Sequence, residues 1–161
     1  MRVAQGAVLV LVCLLAVGGA SAIPVGQALV VSDADTGERL LVTPVEENTT
    51  VALEYTHSVE KTRVLDAYAV RDGELVMTRM EFESYGAGLP SRANVTIENG
   101  TFVFDPEGSY EELYVKPGPV AGHRLHVGDD TYDLVELSDS QSVRLSVVDR
   151  SALDVALSRL P

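Results

Sequence analysis

The chain has 161 residues, with 24 acidic against 12 basic side chains, a formal net charge of −12 and 46% apolar residues. The apolar share excludes a disordered acidic tail, and the charge excludes a nucleic-acid or anionic-lipid surface, which needs a basic stripe. A single cysteine, Cys13, excludes a disulfide framework and a cysteine metal site.

The basic residues are ten arginines and only two lysines, Lys61 and Lys116. An acidic, lysine-poor chain that still carries a core suggests a secreted protein of a salt-loving organism, with an ordinary acidic secreted domain as the alternative. In about 1 M salt the screening length falls to roughly 3 Å, so dense carboxylates repel little.

Residues 1–22 read as an export signal. Arg2 is the only charge before Asp33, the stretch 7–17 is apolar, and Ala20-Ser21-Ala22 has the small-x-small pattern of a cleavage site. The alternative is an uncleaved N-terminal anchor helix, the chain's one expected membrane contact. Val12 before Cys13 argues against lipidation. Either way, one all-β domain over 23–161 is expected outside the cytoplasm, secreted or held at the outer face of the cytoplasmic membrane.

Short alternating apolar runs bounded by Gly, Asp, Asn or Pro predict strands. They fall at 28–32, 39–45, 50–58, 62–71, 74–84, 94–98, 101–105, 112–116, 123–127, 131–136 and 142–149. The expected fold is an antiparallel β-sandwich or partly open barrel. Asp72-Gly73 and Asn99-Gly100 are two-residue hairpin turns, and Gly128-Asp129-Asp130 is a looser one. The end of the chain, 152–161, reads as a short helix or an irregular tail. A turn at Asp72-Gly73 pairs Leu65 with Met80 and puts Leu65, Ala67, Ala69, Val76, Met80 and Phe82 on one apolar face. A three-residue turn, Val59-Glu60-Lys61, adds Val51, Leu53, Tyr55 and His57 to that face. Glu54, Asp66 and Arg79 then share the other.

Candidate chemistry is sparse. His57-Ser58 with Asp66 invites a nucleophile-and-base reading, but neighbours on a strand point to opposite faces. His57 reads instead as a half-buried rim residue that hydrogen-bonds its turn. The loop around Gly86, Gly88 and Pro90 is glycine-rich, yet no helix follows to cradle a phosphate. His123 and His126 have strand spacing that separates their rings. Asp33-Ala34-Asp35-Thr36-Gly37-Glu38 starts like a calcium loop but has Pro44 where the bidentate Glu belongs. No metal set and no cofactor fingerprint is read. Sequons at Asn48, Asn94 and Asn99 fall at expected turns or strand ends, as glycosylation candidates.

The blocks Tyr55-Thr56-His57-Ser58-Val59-Glu60-Lys61-Thr62 and Gly86-Ala87-Gly88-Leu89-Pro90 stand out together. With Asp66, Tyr68, Asp72-Gly73 and His123-x-Leu125-x-Val127-Gly128, the chain resembles the domain of unknown function numbered eighteen-fifty. Arg63 stands where that family often has proline, and Asp66 where it usually has glutamate. The resemblance implies a small exported or membrane-tethered protein, encoded beside tripartite ATP-independent transporters. It makes a non-catalytic transporter accessory the leading expectation, with a transporter permease or solute receptor as partner. The contact surface is expected at His57, Ser58, Glu60, Lys61, Gly86, Gly88 and Pro90. The alternatives are a free extracytoplasmic ligand- or ion-binding module and a hydrolase using His57, Ser58 and Asp66.

Overall fold

The computed structural model describes residues 24–84 and 95–151. The signal or anchor segment, the loop carrying Gly86, Gly88 and Pro90, Asn94 and the tail at 152–161 lie outside them. Residues 28–148 form one compact unit. A second unit comprises 1–27 and 149–161, of which 24–27 and 149–151 are described.

The fold is an open antiparallel β-sandwich of two sheets. The chain runs β1 (Pro24–Asp33), β2 (Arg39–Val45), β3 (Thr50–Thr56), β4 (Arg63–Arg71), β5 (Glu74–Phe82), β6 (Thr96–Glu98) and β7 (Thr101–Phe104). It continues with β8 (Ser109–Tyr110), β9 (Glu112–Val115), β10 (Arg124–Val127), β11 (Asp130–Asp133), a helical turn α1 (Leu134–Leu137) and β12 (Val143–Ser151). The small sheet is ordered β2-β1-β12-β9. The large sheet is ordered β11-β10-β3-β4-β5-β7-β6, with β8 also on β5. Leu29, Val31, Leu145 and Val143 of the small sheet and Val51, Leu53, Val70, Leu75, Leu125 and Val127 of the large one share one core. Burial of this apolar surface is the main favourable contribution to folding.

The hairpin chemistry holds where the turn residues demand it. Asp72 (φ 51°) and Gly73 (φ 81°) lie in the left-handed region, as do Asn99 (φ 50°) and Gly100 (φ 87°). Such paired positive angles match the twist of the flanking strands. The turn after β10 is tighter than expected. Val127 pairs directly with Asp130, so Gly128-Asp129 is a two-residue turn.

Two register differences reorganise the sheet. First, β3 pairs with β4 as Thr56 with Arg63, Tyr55 with Val64, Leu53 with Asp66 and Val51 with Tyr68. The connection is therefore 57–62, not three residues. Its closure explains the length. The His57 N–H donates to the Thr62 carbonyl (2.8 Å) and the Lys61 N–H to the His57 carbonyl (2.9 Å). Lys61 takes a left-handed φ of 57°. Second, β5 carries a bulge. Tyr68 pairs with Met77 as expected, but Ala67 pairs with Arg79 and Asp66 with Met80. Thr78 is the extra residue, and its hydroxyl donates to the Ala67 carbonyl (3.2 Å). A bulge switches which parity of a strand faces inward. Leu75 and Met77 therefore face the core before it, and Phe82, opposite Val64, is fully buried after it.

The inner face of β4 is consequently Val64, Asp66, Tyr68 and Val70, not Leu65, Ala67 and Ala69. Asp66 lies inward, on the opposite side of the sheet from Glu54. The outer face carries a chain of ion pairs. Arg63 binds Glu54 (2.9 Å) and Glu81 (3.1 Å), and Arg79 binds Glu81 (2.7 Å) and Glu98 (2.7 Å). Arg79, then Arg63, hold the Glu81 carboxyl below its ordinary range.

The expected strand at 131–136 stops at Asp133. Its carboxylate accepts from the N–H groups of Val135 (2.9 Å) and Glu136 (3.1 Å), which caps α1 and turns Leu134 into the core. Asp133→Ala should cost about 1 kcal/mol, the usual loss of an N-cap, read as a lower denaturation midpoint with unchanged slope. Two-residue β8 had no alternation to betray it.

Candidate functional site

The described site residues gather around the end of β3, where the 57–62 connection and the 117–122 loop meet. The first group is the connection itself. His57 is half-buried, and its Nδ1 accepts from the Glu60 N–H (3.2 Å). The ring thus hydrogen-bonds its own turn, as its rim position led us to expect. Ser58 lies in the turn and not on the strand, so strand alternation does not govern it. Ser58, Glu60 and Lys61 are exposed, and Val59 is 68% exposed. Ser84, just after β5, donates to the Glu60 carboxylate (3.0 Å). That bond ties the first signature block to the chain entering the second. Gly86, Gly88 and Pro90 themselves lie outside the described residues.

The second group was invisible under the expected register. Tyr55, Asp66, Tyr68 and His123 stand far apart in sequence, and all lie on the inner side of the large sheet. Tyr55 lies beside the Asp66 carboxyl, whose Oδ1 is buried without a hydrogen-bond partner among the described residues. Burial raises the Asp66 carboxyl from an ordinary 3.8 to about 6. Burial also raises the Tyr55 and Tyr68 phenols, and the nearby Asp66 charge adds to both. His123 stacks on Tyr55 (centroids 5.1 Å apart, 14° between planes). Its Nδ1 accepts from the Gly118 N–H (3.3 Å), and burial lowers its pKa. The neutral ring therefore carries its proton on Nε2. Tyr110 of β8 meets Tyr68 edge-on (6.0 Å, 80°). Tyr55, Asp66 and Tyr68 belong to the family pattern in the sequence, but that pattern does not say that they share a face. Only the β3–β4 pairing brings them together.

The third group is a cleft of about 310 Å³ on the outer face of the large sheet. Glu54, Thr56, Arg63, Ala121, Gly122 and Arg124 are among its lining residues. The Thr56 N–H donates to the Ala121 carbonyl (2.8 Å), and the N–H groups of Ala121 (3.1 Å) and Gly122 (2.9 Å) close the loop on the Gly118 carbonyl.

The remaining candidates resolve into structural roles. His126 lies on the outer side, with Nδ1 3.0 Å from the Thr131 hydroxyl and Nε2 3.9 Å from Glu54, across the sheet from His123. Asp33 Oδ1 accepts from the Asp35 N–H (3.0 Å) and from the Thr36 N–H (2.7 Å) and hydroxyl (2.9 Å). Those Thr36 bonds lower its pKa and make it a turn former. Among the described residues no group of three His, Cys, Asp or Glu could hold a metal ion. Asn48 and Asn99 are exposed in turns, with φ of 65° and 50°.

No curated protein and no solved structure matches the chain. The family model described as a domain of unknown function (DUF1850) matches residues 51–134, from the start of β3 to the start of α1. That span holds the 57–62 connection, the inner cluster and the cleft alike, and the chain belongs to the DUF1850 family.

Proposed function

We propose that the protein is an exported, non-catalytic accessory of a tripartite ATP-independent solute transporter, and that it docks on the permease or solute receptor through the 57–62 connection. The observation that carries this reading is how that connection spends its polar groups. The His57 ring and the backbone of His57, Glu60 and Lys61 hydrogen-bond within the turn. The side chains of Val59, Glu60 and Lys61 are left exposed on a preformed frame. Preformed, mixed apolar and charged loops lose little ordering entropy on docking. A non-catalytic role is supported by the His57 Nδ1, which is engaged as an acceptor and not poised on Ser58. The acidic surface suits an exported domain working in high salt.

The test is affinity capture of tagged protein from membranes at native salt, comparing the wild type with a Glu60→Ala/Lys61→Ala variant. The wild type is expected to bring down a transporter permease or receptor, and the variant at least about tenfold less, as for a contact centred on these residues. Its melting temperature should stay within about 2 °C, because both side chains are exposed and Glu60 loses one surface hydrogen bond. Equal recovery by both proteins, recovery of the bait alone, or a parallel loss of capture and stability would overturn the reading.

A further inference from the structure

We propose that the outer cleft at the end of β3 binds a small organic monocarboxylate, held by Arg124 and by the open edge of Arg63. The ladders place these residues. On one side of β3, Arg124 of β10 is directly opposite Glu54. On the other, Arg63 of β4 is opposite Thr56. All four residues therefore lie on the same, outer face of the sheet.

The two guanidiniums differ in how they are engaged. Arg63 donates Nε–H to Glu54 and Nη1–H to Glu81, which orients the group and leaves Nη2 without a hydrogen bond among the described residues. Arg124 makes no ion pair among the described residues, although acidic Glu54 and Asp133 are its ladder neighbours. Glu54 is taken by Arg63, and Asp133 spends Oδ1 on the first turn of α1. In a chain with twice as many acids as bases, an arginine left open beside a cleft is an uncommitted donor fork.

Charge and size select the ligand class. Among the lining residues two guanidiniums stand with one carboxylate, Glu54, while Glu81 bonds Arg63 and Asp133 lies opposite Arg124, so the surroundings admit at most a single negative charge, at the open fork of Arg124. A planar carboxylate can take two parallel N–H bonds from Arg124. A dianionic phosphate would meet the same donors but suffers more from Glu54. The volume of about 310 Å³ lies at the lower end of small-molecule sites. The walls are preformed, because the Thr56–Ala121 bond pins the loop, and stacking of His123 on Tyr55 steadies the strand end beneath it. An open cleft with few apolar walls supports affinities around 1 mM, worth about 4 kcal/mol.

The experiment titrates ¹⁵N-labelled full chain with benzoate at constant ionic strength, with benzamide and inorganic phosphate as comparison probes. Benzoate is expected to move the amide signals of Thr56, Ala121, Gly122 and Arg124 saturably, and benzamide to leave them in place. Arg124→Gln should weaken benzoate at least about tenfold, as loss of a bidentate charged pair does, with an unchanged melting temperature. Benzamide or phosphate acting as benzoate does, no saturation by about 20 mM, where only affinities too weak for a site remain, or an unaffected Arg124→Gln variant would each overturn the proposal. It stands apart from the transporter reading. The Glu60→Ala/Lys61→Ala variant is expected to bind benzoate normally, so either idea can fail alone.

Discussion

Asp66→Asn is expected to raise stability at pH 7 by on the order of 2 kcal/mol and to bring almost no gain at pH 4. One pKa unit corresponds to about 1.4 kcal/mol, and burial lifts the Asp66 carboxyl from 3.8 to about 6. The folded state therefore holds this proton more tightly than the unfolded chain does. Stability from this group is fully present below the unfolded value of 3.8 and is lost as pH rises through the folded value of about 6. Above that, the native protein keeps an ionised carboxylate on its inner face, with Oδ1 unpartnered among the described residues. Asparagine removes the charge and keeps the size and shape of the side chain beside Tyr55. The wild-type profile mixes this effect with every other acid on the chain. The difference between variant and wild type, measured by denaturant unfolding at pH 4, 5.5 and 7, isolates it. A gain independent of pH would mean that Asp66 is not a buried, titrating carboxyl.

The second large effect separates two neighbours on β4 and β5. Phe82→Ala should cost about 3–5 kcal/mol, the usual price of emptying a large aromatic from a core. Leu65→Ala should cost less than about 1.5 kcal/mol, because a half-covered side chain loses only part of its transfer energy. Phe82 is fully buried and stacks on Phe102 (5.4 Å), whereas Leu65 is half-buried on the outer face opposite Glu81. Without the Thr78 bulge, Leu65 and Phe82 would share the apolar face, and both substitutions would be severe. Equal costs in denaturant unfolding would contradict the bulged register.

The family motifs were readable as residues but not as a site. His57 announced a turn contact and kept it. Glu60 gained a partner, Ser84, that lies 24 positions away. Tyr55, Asp66, Tyr68 and His123 were all among the residues that carry the family resemblance, but the expected register put Tyr55 and Asp66 on opposite faces, because nothing local specifies which strand faces meet. Arg124 likewise looked like any surface charge until Glu54 was placed beside it.

The class of fold, most strand positions and the hairpins at Asp72-Gly73 and Asn99-Gly100 were legible in the pattern of residues. These depend on alternation and on residues that tolerate positive φ, both of which act over a few positions. Which face each strand turns inward follows from long-range pairing. A six-residue connection in place of three, and one extra residue at Thr78, each move a strand by a single position. Side chains repeat every two residues along a strand, so a shift of one exchanges core for surface. That exchange carried Asp66 inward against Tyr55, left Leu65 outside, and set Arg63 and Arg124 on either side of Glu54.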